Sequence, residues 1–247
     1  MCAIIGWRGP ITKSLFREFF RRAEPSGPMS TGLMTIDNIG KGRRGGDDYT
    51  LDLWKKAITV SEALRNHNHR LDRMSAHSAG IGHTRYATHG RICDENAHPF
   101  SDDGVHFVHN GVISNYYSIK ADAVVDSECL GPLIQRRNIS PAWGSVGLAW
   151  FEKIDGQWKQ FVYRHQQSLM VAKTQIHGAG HDKPVILIAS RHHHFPKTHL
   201  FNVEFIELKE GVPYEVTDTG VVEAWRNQDA AREFVRQTHV NGCYVGG

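Results

Sequence analysis

A cysteine stands second in the chain, directly after the first methionine, in "MCAIIGWRGP". If Met1 is removed, Cys2 carries a free α-amine on the same carbon as its thiol. A thiol has an ordinary pKa of about 8.5 and an α-amine one of about 7.7–8.0, so the amine could accept the thiol's proton near neutral pH. Cys2 could then be nucleophile and base at once. The alternative is a small buried apolar residue at the start of a first strand.

A second set of chemically capable residues lies in the middle of the chain. It comprises "GIGHTRYATHGRICDENAHPF" (80–100), "VHFVHNGVISNY" (105–116) and "DSE" (126–128). In "HNG", the Asn110 amide and the Gly111 N–H are donors of the kind that stabilise a tetrahedral oxyanion, and glycine lets the backbone approach closely. The alternative for this pair is an Asn-Gly hairpin turn between two strands.

Taken in order with Cys2, these motifs resemble the class II glutamine amidotransferases, in which an N-terminal cysteine hydrolyses glutamine. The pattern is most similar to the glutaminase domain of the glucosamine-6-phosphate synthase family. It is dense over residues 80–130 and looser over 1–70 and after 140. The resemblance implies that Cys2 is the nucleophile and that Asn110 and Gly111 form the oxyanion hole.

The same resemblance implies L-glutamine as the substrate. Arg85 would bind the α-carboxylate in a bidentate fork, and Asp126 would hold the α-ammonium. The alternative interpretation, for each residue taken without the family pattern, is a surface salt-bridge residue for Arg85 and a helix cap for Asp126. The stretch 85–93 would close over glutamine as a loop, braced by Asn96, His98 and Pro99. The remaining substrate-binding positions by resemblance are Gly27, Tyr86, Thr88 and His89.

Three departures from the family pattern bear on function. Ala3 stands where the family has glycine, and Ser26 stands where it has an arginine near the nucleophile's amine. Loss of that cation could change the pKa of the amine or the rate of hydrolysis. The sequence also ends where a sugar-isomerase part would begin, so we expect one glutaminase domain over 1–247 without a synthase or isomerase domain.

The elements that must position these residues follow from apolar periodicity and turn residues. Their grouping into blocks of helices and runs of strands predicts an α+β fold. The resemblance implies the N-terminal-nucleophile hydrolase fold, a four-layer αββα sandwich of two stacked antiparallel sheets. Helices are predicted at 12–23 (capped by Thr12), 50–66, 126–137 and 228–237. Strands are predicted at 3–7, 33–37, 79–84, 105–109, 145–151, 159–164, 184–189 and 201–208.

Composition excludes several classes of protein. With 247 residues, 40% apolar residues and a net charge of +3, the chain is typical of a globular protein without the clustered basic face of a nucleic-acid binder. No apolar run is long enough to span a membrane, and no signal peptide precedes Cys2. The four cysteines show no CxxC spacing, which indicates reduced thiols in a cytoplasm.

We expect neither a cofactor nor a metal. "GKGRRG" (40–45) lacks the helix and the acidic residue of a dinucleotide site, so a basic hairpin turn is favoured. "RHHHFPKTH" (191–199) has no carboxylate or cysteine to complete a metal site and is predicted to be a solvated loop.

Three functions remain open at this stage. The first is a glutaminase that forms a Cys2 thioester, releases glutamate and passes ammonia to a separate synthase subunit. The second is a free-standing hydrolase of γ-glutamyl amides or peptides on the same fold. The third is a non-catalytic module that has kept the pocket. Arg85 together with Asp126 favours free glutamine, because both α-groups would be held.

Overall fold

The computed structural model describes residues 2–37, 50–176, 184–198 and 200–225. The predicted helix at 228–237 and the glycine-rich segment 40–45 lie outside these ranges. In chain order the strands are β1 (Ala3–Arg8), β2 (Ser30–Ile36), β3 (Leu51–Lys56), β4 (Ala79–Arg85), β5 (Phe100–Asp102), β6 (Val105–Ile113), β7 (Gly144–Ile154), β8 (Gln157–His165), β9 (Met170–Ile176), β10 (Val185–Ala189), β11 (Leu200–Ile206), β12 (Tyr214–Val216) and β13 (Val221–Glu223).

Helices of the described residues connect these strands. The α-helices are α1 (Lys13–Ala23), α2 (Val60–Asn66), α3 (Asn68–Met74), α4 (Tyr116–Ile119) and α5 (Leu130–Gln135). Short 3₁₀ helices cover Glu24–Ser26, Asp126–Cys129 and His192–His194. No helix in the described ranges has the length and apolar character needed to cross a membrane.

The strands form two antiparallel sheets. A seven-stranded sheet has the order β11-β9-β10-β1-β4-β2-β3, and a six-stranded sheet has the order β13-β12-β8-β7-β6-β5. Strand β1, which directly follows Cys2, is central in the first sheet, between β10 and β4. Asn110 and Gly111 lie on β6, which pairs with β7 in the second sheet.

Three apolar layers separate four layers of secondary structure. The outer face of the seven-stranded sheet packs on α1, α2 and α3 through Trp7, Phe16 and Leu71. The outer face of the six-stranded sheet packs on α5 through Trp150 and Leu133. The inner faces of the two sheets meet in a third cluster. The predicted α+β, αββα layering is therefore confirmed.

Helix α1 forms where its sequence pattern predicts it. The Thr12 hydroxyl caps it by accepting the Leu15 N–H at 3.2 Å, and this satisfies one of the unpaired donors of the first turn. Its apolar side chains recur at helical spacing and are fully buried against the sheet. They are Leu15, Phe16, Phe19, Phe20 and Ala23.

The predicted helix at 50–66 is wrong in its first half. Residues 51–56 form β3, which pairs antiparallel with β2, and α2 begins only at Val60 behind a Thr59–Glu62 capping box. In β3, Trp54 faces the helices while Leu53 contacts the inner layer. Apolar residues on both faces of a strand leave no clean alternation, so the segment resembled a helical stripe.

Most other elements agree with expectation. The predicted strands overlap β1, β2, β4, β6, β7, β8, β10 and β11. The helix predicted at 126–137 starts as the 3₁₀ helix Asp126–Cys129 and continues as α5. The sequence analysis did not predict β5, β9, β12, β13, α3 or α4. Of these, β9 pairs with β10 and β11.

Candidate active site

The candidate site lies at one end of the layer between the two sheets. Ile4, Val108 and Ile188 all face this layer. Side chains alternate along a strand, so residues two positions on face the same layer. The same rule holds for β4, where Ile81 also faces this layer. Counting along each strand in steps of two from these apolar residues leads to four polar side chains near the strand ends. They are Cys2, Arg85, Asn110 and Ser190.

The Cys2 thiol is half-buried at the start of β1, beside the end of β4. Its Sγ accepts the Tyr86 N–H at 3.2 Å and lies 3.4 Å from the Tyr86 carbonyl oxygen. Burial raises the pKa of this thiol, while the Tyr86 backbone and the positive charge of Arg85 oppose the rise. Burial therefore favours the protonated thiol, which would need a base to act as a nucleophile.

Asn110 is buried on β6, and its Nδ2 donates to the Ser190 hydroxyl at 3.2 Å. The pair Asn110–Gly111 stands inside the strand Val105–Ile113, so the alternative of an Asn-Gly hairpin turn is wrong. Gly111 has φ +149°, and a Cβ there would lie 1.8 Å from the Ser145 carbonyl oxygen. Only glycine fits at this position.

Arg85 is buried and holds the loop that follows it, which excludes the alternative of a surface salt-bridge residue. Its Nη1 donates to the Arg91 carbonyl at 3.1 Å, and its Nη2 donates to the His89 carbonyl. Within the described ranges these are the two hydrogen bonds of the guanidinium, so three of its five N–H groups could donate to another group. Tyr86 is 46% exposed on the same loop. The Thr88 hydroxyl lies 3.3 Å from His89 Nδ1.

Asp126 is buried beside this loop. Its Oδ2 accepts the Ile113 N–H at 3.0 Å, and its Oδ1 lies 3.9 Å from His89 Nδ1. The 3₁₀ helix that begins at Asp126 has no side-chain cap, so the helix-cap alternative for this residue is wrong. The contact with Ile113 holds the carboxylate at the end of β6, two residues after Gly111.

Gly27 packs against the backbone of β4, because a Cβ there would lie 2.3 Å from the Thr84 carbonyl oxygen. Its neighbour Ser26 donates to or accepts from His194 Nε2 at 2.9 Å. Burial lowers the pKa of His194 to about 4, so this imidazole is neutral at pH 7 and does not replace the family arginine's charge. The predicted solvated loop at 191–199 is wrong for His194 and Phe195, which are buried.

The sequence analysis assigned His98 to bracing the loop after Arg85 but missed that it belongs to a cluster with two further buried histidines, His83 and His109. His83 Nε2 lies 2.8 Å from the His109 carbonyl oxygen and therefore carries the proton. The Ser127 hydroxyl joins His98 Nε2 at 3.1 Å and His109 Nδ1 at 2.9 Å. His83 stands two residues before Arg85, and His109 stands directly before Asn110. This closeness to predicted site residues was the sequence signal that could have indicated the cluster. Within the described ranges no group of three or more His, Cys, Asp or Glu could hold a metal ion.

The histidine cluster predicts a stability that falls with acid. Burial lowers the pKa of His83 to about 3 and also lowers the pKa of His98 and His109, against an ordinary value of 6.5. The unfolded chain binds protons below pH 6.5 while the folded chain does not. The stabilisation is therefore complete above about pH 6.5 and is lost as the pH falls towards the folded pKa.

For His83, whose folded pKa of about 3 lies far below the tested range, we expect the free energy of unfolding to fall by about 1.4 kcal/mol per pH unit below pH 6.5, and the lowered pKa values of His98 and His109 should steepen the fall. Urea unfolding at pH 7, 6 and 5 measures this. An unfolding free energy that stays constant between pH 7 and 5 would contradict the assignment of neutral buried histidines.

Proteins similar to this chain in sequence belong to the family that the motifs resemble. No family model matches the chain. The chain is similar to the glutamine–fructose-6-phosphate aminotransferase (isomerizing) of Bradyrhizobium diazoefficiens, with 38% identity over 124 residues, 49% of this chain and 18% of that protein. It is also similar to the enzyme of the same name from Bartonella henselae, with 30% identity over 191 residues, 70% of this chain and 28% of that protein.

Two solved structures share the fold of this chain over most of its length. The chain superimposes on glutamine phosphoribosylpyrophosphate amidotransferase from B. subtilis with a TM-score of 0.66 at 17% identity, covering 90% of this chain and 49% of that one. A second structure, an allosteric regulatory enzyme of purine biosynthesis, gives a TM-score of 0.66 at 18% identity and covers 92% of this chain. The predicted N-terminal-nucleophile fold is confirmed. The chain spans less than a third of the two sequence relatives and about half of the structural ones.

Proposed function

Because this chain belongs to the class II glutamine amidotransferases, we propose that it hydrolyses the side-chain amide of L-glutamine to glutamate and ammonia. One observation carries the proposal: the Cys2 thiol and the Asn110 amide face the same end of the inter-sheet layer, beside the buried Arg85 and Asp126. A nucleophile, an oxyanion donor and a pair of opposite charges are the groups that an amidase for a free amino acid requires.

In the proposed reaction the α-amine of Cys2 takes the thiol's proton, directly or through one water. The sulfur attacks the amide carbon, and the Asn110 Nδ2–H and the Gly111 N–H stabilise the oxyanion. The amine's proton passes to the leaving nitrogen, ammonia departs, and a thioester remains. Water, deprotonated by the same amine, then attacks the thioester, and glutamate leaves with the thiol restored.

This mechanism needs a free amine on Cys2, so we expect the active protein to start at Cys2. A retained Met1 would turn that amine into an amide, which cannot accept a proton near neutral pH. Intact-mass measurement of the active enzyme should give the mass of the sequence less one methionine. Full activity in a preparation that retains Met1 would rule out the amine as the base.

Arg85 and Asp126 are the proposed determinants of substrate choice. The guanidinium would bind the α-carboxylate, and the Asp126 carboxylate would bind the α-ammonium. Tyr86, Thr88 and His89 lie on the loop after Arg85, where closure would surround the substrate. Gly27 holds its own segment against β4, and a side chain there would displace that backbone.

Replacing Arg85 by lysine should raise the KM for glutamine roughly ten- to hundredfold, the cost of a charge-assisted hydrogen bond. An ammonium presents no planar fork, and it cannot hold the His89 and Arg91 carbonyls as the guanidinium does. Steady-state kinetics on L-glutamine give the value. Arg70→Lys, which alters a guanidinium paired with Asp52 on the protein surface, is the matched control. An unchanged KM in Arg85→Lys would remove the carboxylate role.

We also propose that the ammonia passes to a separate acceptor enzyme. The relatives named as aminotransferases are more than three times as long as the part they share with this chain, which leaves room in them for acceptor chemistry. The loop Tyr86–Cys93 is the candidate lid, with Gly90 at φ +71° as its hinge. Closure that depends on the acceptor would keep ammonia from being protonated in open solution.

The deciding experiment measures glutamate and ammonia released from L-glutamine by the purified protein. Three further substrates separate the alternatives: a γ-glutamyl peptide, and glutamine analogues lacking the α-ammonium or the α-carboxylate. We expect glutamine to be hydrolysed and both analogues to react poorly. A preference for the peptide would favour the free-standing hydrolase, and no release of glutamate would leave a non-catalytic module. A rate that rises several-fold with partner and acceptor added would support ammonia transfer.

A further inference from the structure

Ser190 follows β10 directly and is fully buried. Its hydroxyl oxygen accepts the Ile4 N–H at 2.8 Å and the Asn110 Nδ2–H at 3.2 Å. Its own N–H donates to the Ile4 carbonyl at 3.0 Å. One side chain therefore joins the nucleophile strand of the first sheet to the oxyanion donor of the second sheet.

Among the described residues, the Ser190 hydroxyl is the hydrogen-bond partner that fixes the orientation of the buried Asn110 amide. The terminal torsion of asparagine has a broad, roughly two-fold energy profile, so the amide plane needs a partner to fix it. With one Nδ2 hydrogen bonded to Ser190, the second hydrogen is directed away from Ser190. An oxyanion donor works only if it is preorganised at the place where charge develops.

We propose that Ser190 is a positioning residue of the reaction, which holds the Asn110 amide in its donating orientation and ties it to the strand that carries Cys2. This rests on the proposed glutaminase function. Ile4 stands two residues from Cys2 on the same face of β1, so Ser190 couples the position of the nucleophile to that of the oxyanion donor. Ser190 acts through Asn110 and need not touch the substrate.

Ser190→Ala should lower kcat roughly ten- to hundredfold, less than the loss of the whole donor, with the KM for glutamine within about twofold of wild type. The amide is still present but turns freely, so the fall is confined to the transition state. Thr174→Val is the matched control. It removes a fully buried hydroxyl from β9 in the same sheet, where Thr174 Oγ1 donates to the Phe201 carbonyl, and it should leave kcat unchanged.

A double-mutant cycle with Asn110→Ala separates positioning from general support of the fold. If Ser190 acts through Asn110, adding Ser190→Ala to Asn110→Ala should change kcat less than twofold. Losses that multiply, a KM that rises as much as kcat falls, or a normal kcat in Ser190→Ala would each overturn the proposal. If Ser190→Ala does not fold, the double-mutant cycle is repeated with Ser190→Cys, because the cysteine sulfur fills the space of the hydroxyl but is a weaker hydrogen-bond acceptor.

Glutamine hydrolysis by the wild-type protein distinguishes failure of the Ser190 proposal from failure of the proposed glutaminase function. If wild type hydrolyses glutamine, Asn110→Ala is impaired and Ser190→Ala is normal, the Ser190 proposal fails while the glutaminase assignment stands. If wild type releases no glutamate, the glutaminase assignment itself fails, and the positioning role falls with it.

Discussion

Replacing Cys2 by alanine should reduce glutamine hydrolysis by at least roughly a thousandfold, to the background of the assay. Loss of a nucleophile removes the covalent route entirely, and in enzymes of this kind it costs several powers of ten. Glutamine binding should persist, because Arg85 and Asp126 are untouched. Glutamate release measures the first effect, and calorimetric titration with glutamine measures the second.

A second arm identifies the thiol directly. A glutamine-mimicking electrophile should label Cys2, as peptide mapping after digestion would report. Cys129 is buried, and burial raises its pKa to about 12, so it should not react. Cys93 is half-buried on the candidate lid, and Cys93→Ala is the control that should keep its activity. Cys243, outside the described residues, should stay unlabelled. A label on any other cysteine, or activity in Cys2→Ala, would end the assignment.

Local sequence predicted the components of the site because they occur in short, ordered motifs. The resemblance named Cys2, Arg85, Asn110 and Asp126, and the structure brings them to one end of the inter-sheet layer. Their catalytic and binding roles stay predictions. The family pattern contains the chain order of the motifs. In the fold, the register of β1 with β4 brings Cys2 next to Arg85, and β6 carries Asn110 in the facing sheet.

Contacts between distant segments could not be predicted in the same way. Ser190 stands 80 positions from Asn110, and "ASR" at a strand end is not a motif. The pairing of Ser26 with His194 spans 168 positions and turned an apparent loop histidine into a buried one. Each contact depends on which strands become neighbours, and periodicity in a single segment holds no information on that.

The error at residues 51–56 has a related cause. β3 lies at the edge of a sheet with helices on one side and the second sheet on the other, so apolar residues can face either side and need not alternate with polar ones. Leu51 and Leu53 contact the inner layer and Trp54 the outer one. A search for amphipathic periods fails where both faces of an element are covered.

Replacing Asn110 by alanine should lower kcat about a hundred- to a thousandfold, the usual cost of one oxyanion donor, with little change in the KM for glutamine. The ground-state carbonyl is neutral and gains little from this donor, whereas the tetrahedral oxyanion gains most of its stabilisation there. Asn115→Ala is the control. This variant removes a half-buried amide that lies after β6 and donates a hydrogen bond to the Pro141 carbonyl. Its kcat should stay within about twofold of wild type.

Asn110→Asp tests the electrostatic part of the same effect, because aspartate has the shape of asparagine but no N–H to donate. Above the carboxylate's pKa its negative charge would face the developing oxyanion and oppose deprotonation of Cys2, so kcat should fall further than in Asn110→Ala. Protonation at lower pH would turn the carboxylate into a donor again. The ratio of kcat in Asn110→Asp to kcat in Asn110→Ala should therefore rise as the pH is lowered from 8 towards 5. Equal losses in the two variants at every pH would show that Asn110 shapes the pocket and does not stabilise the oxyanion.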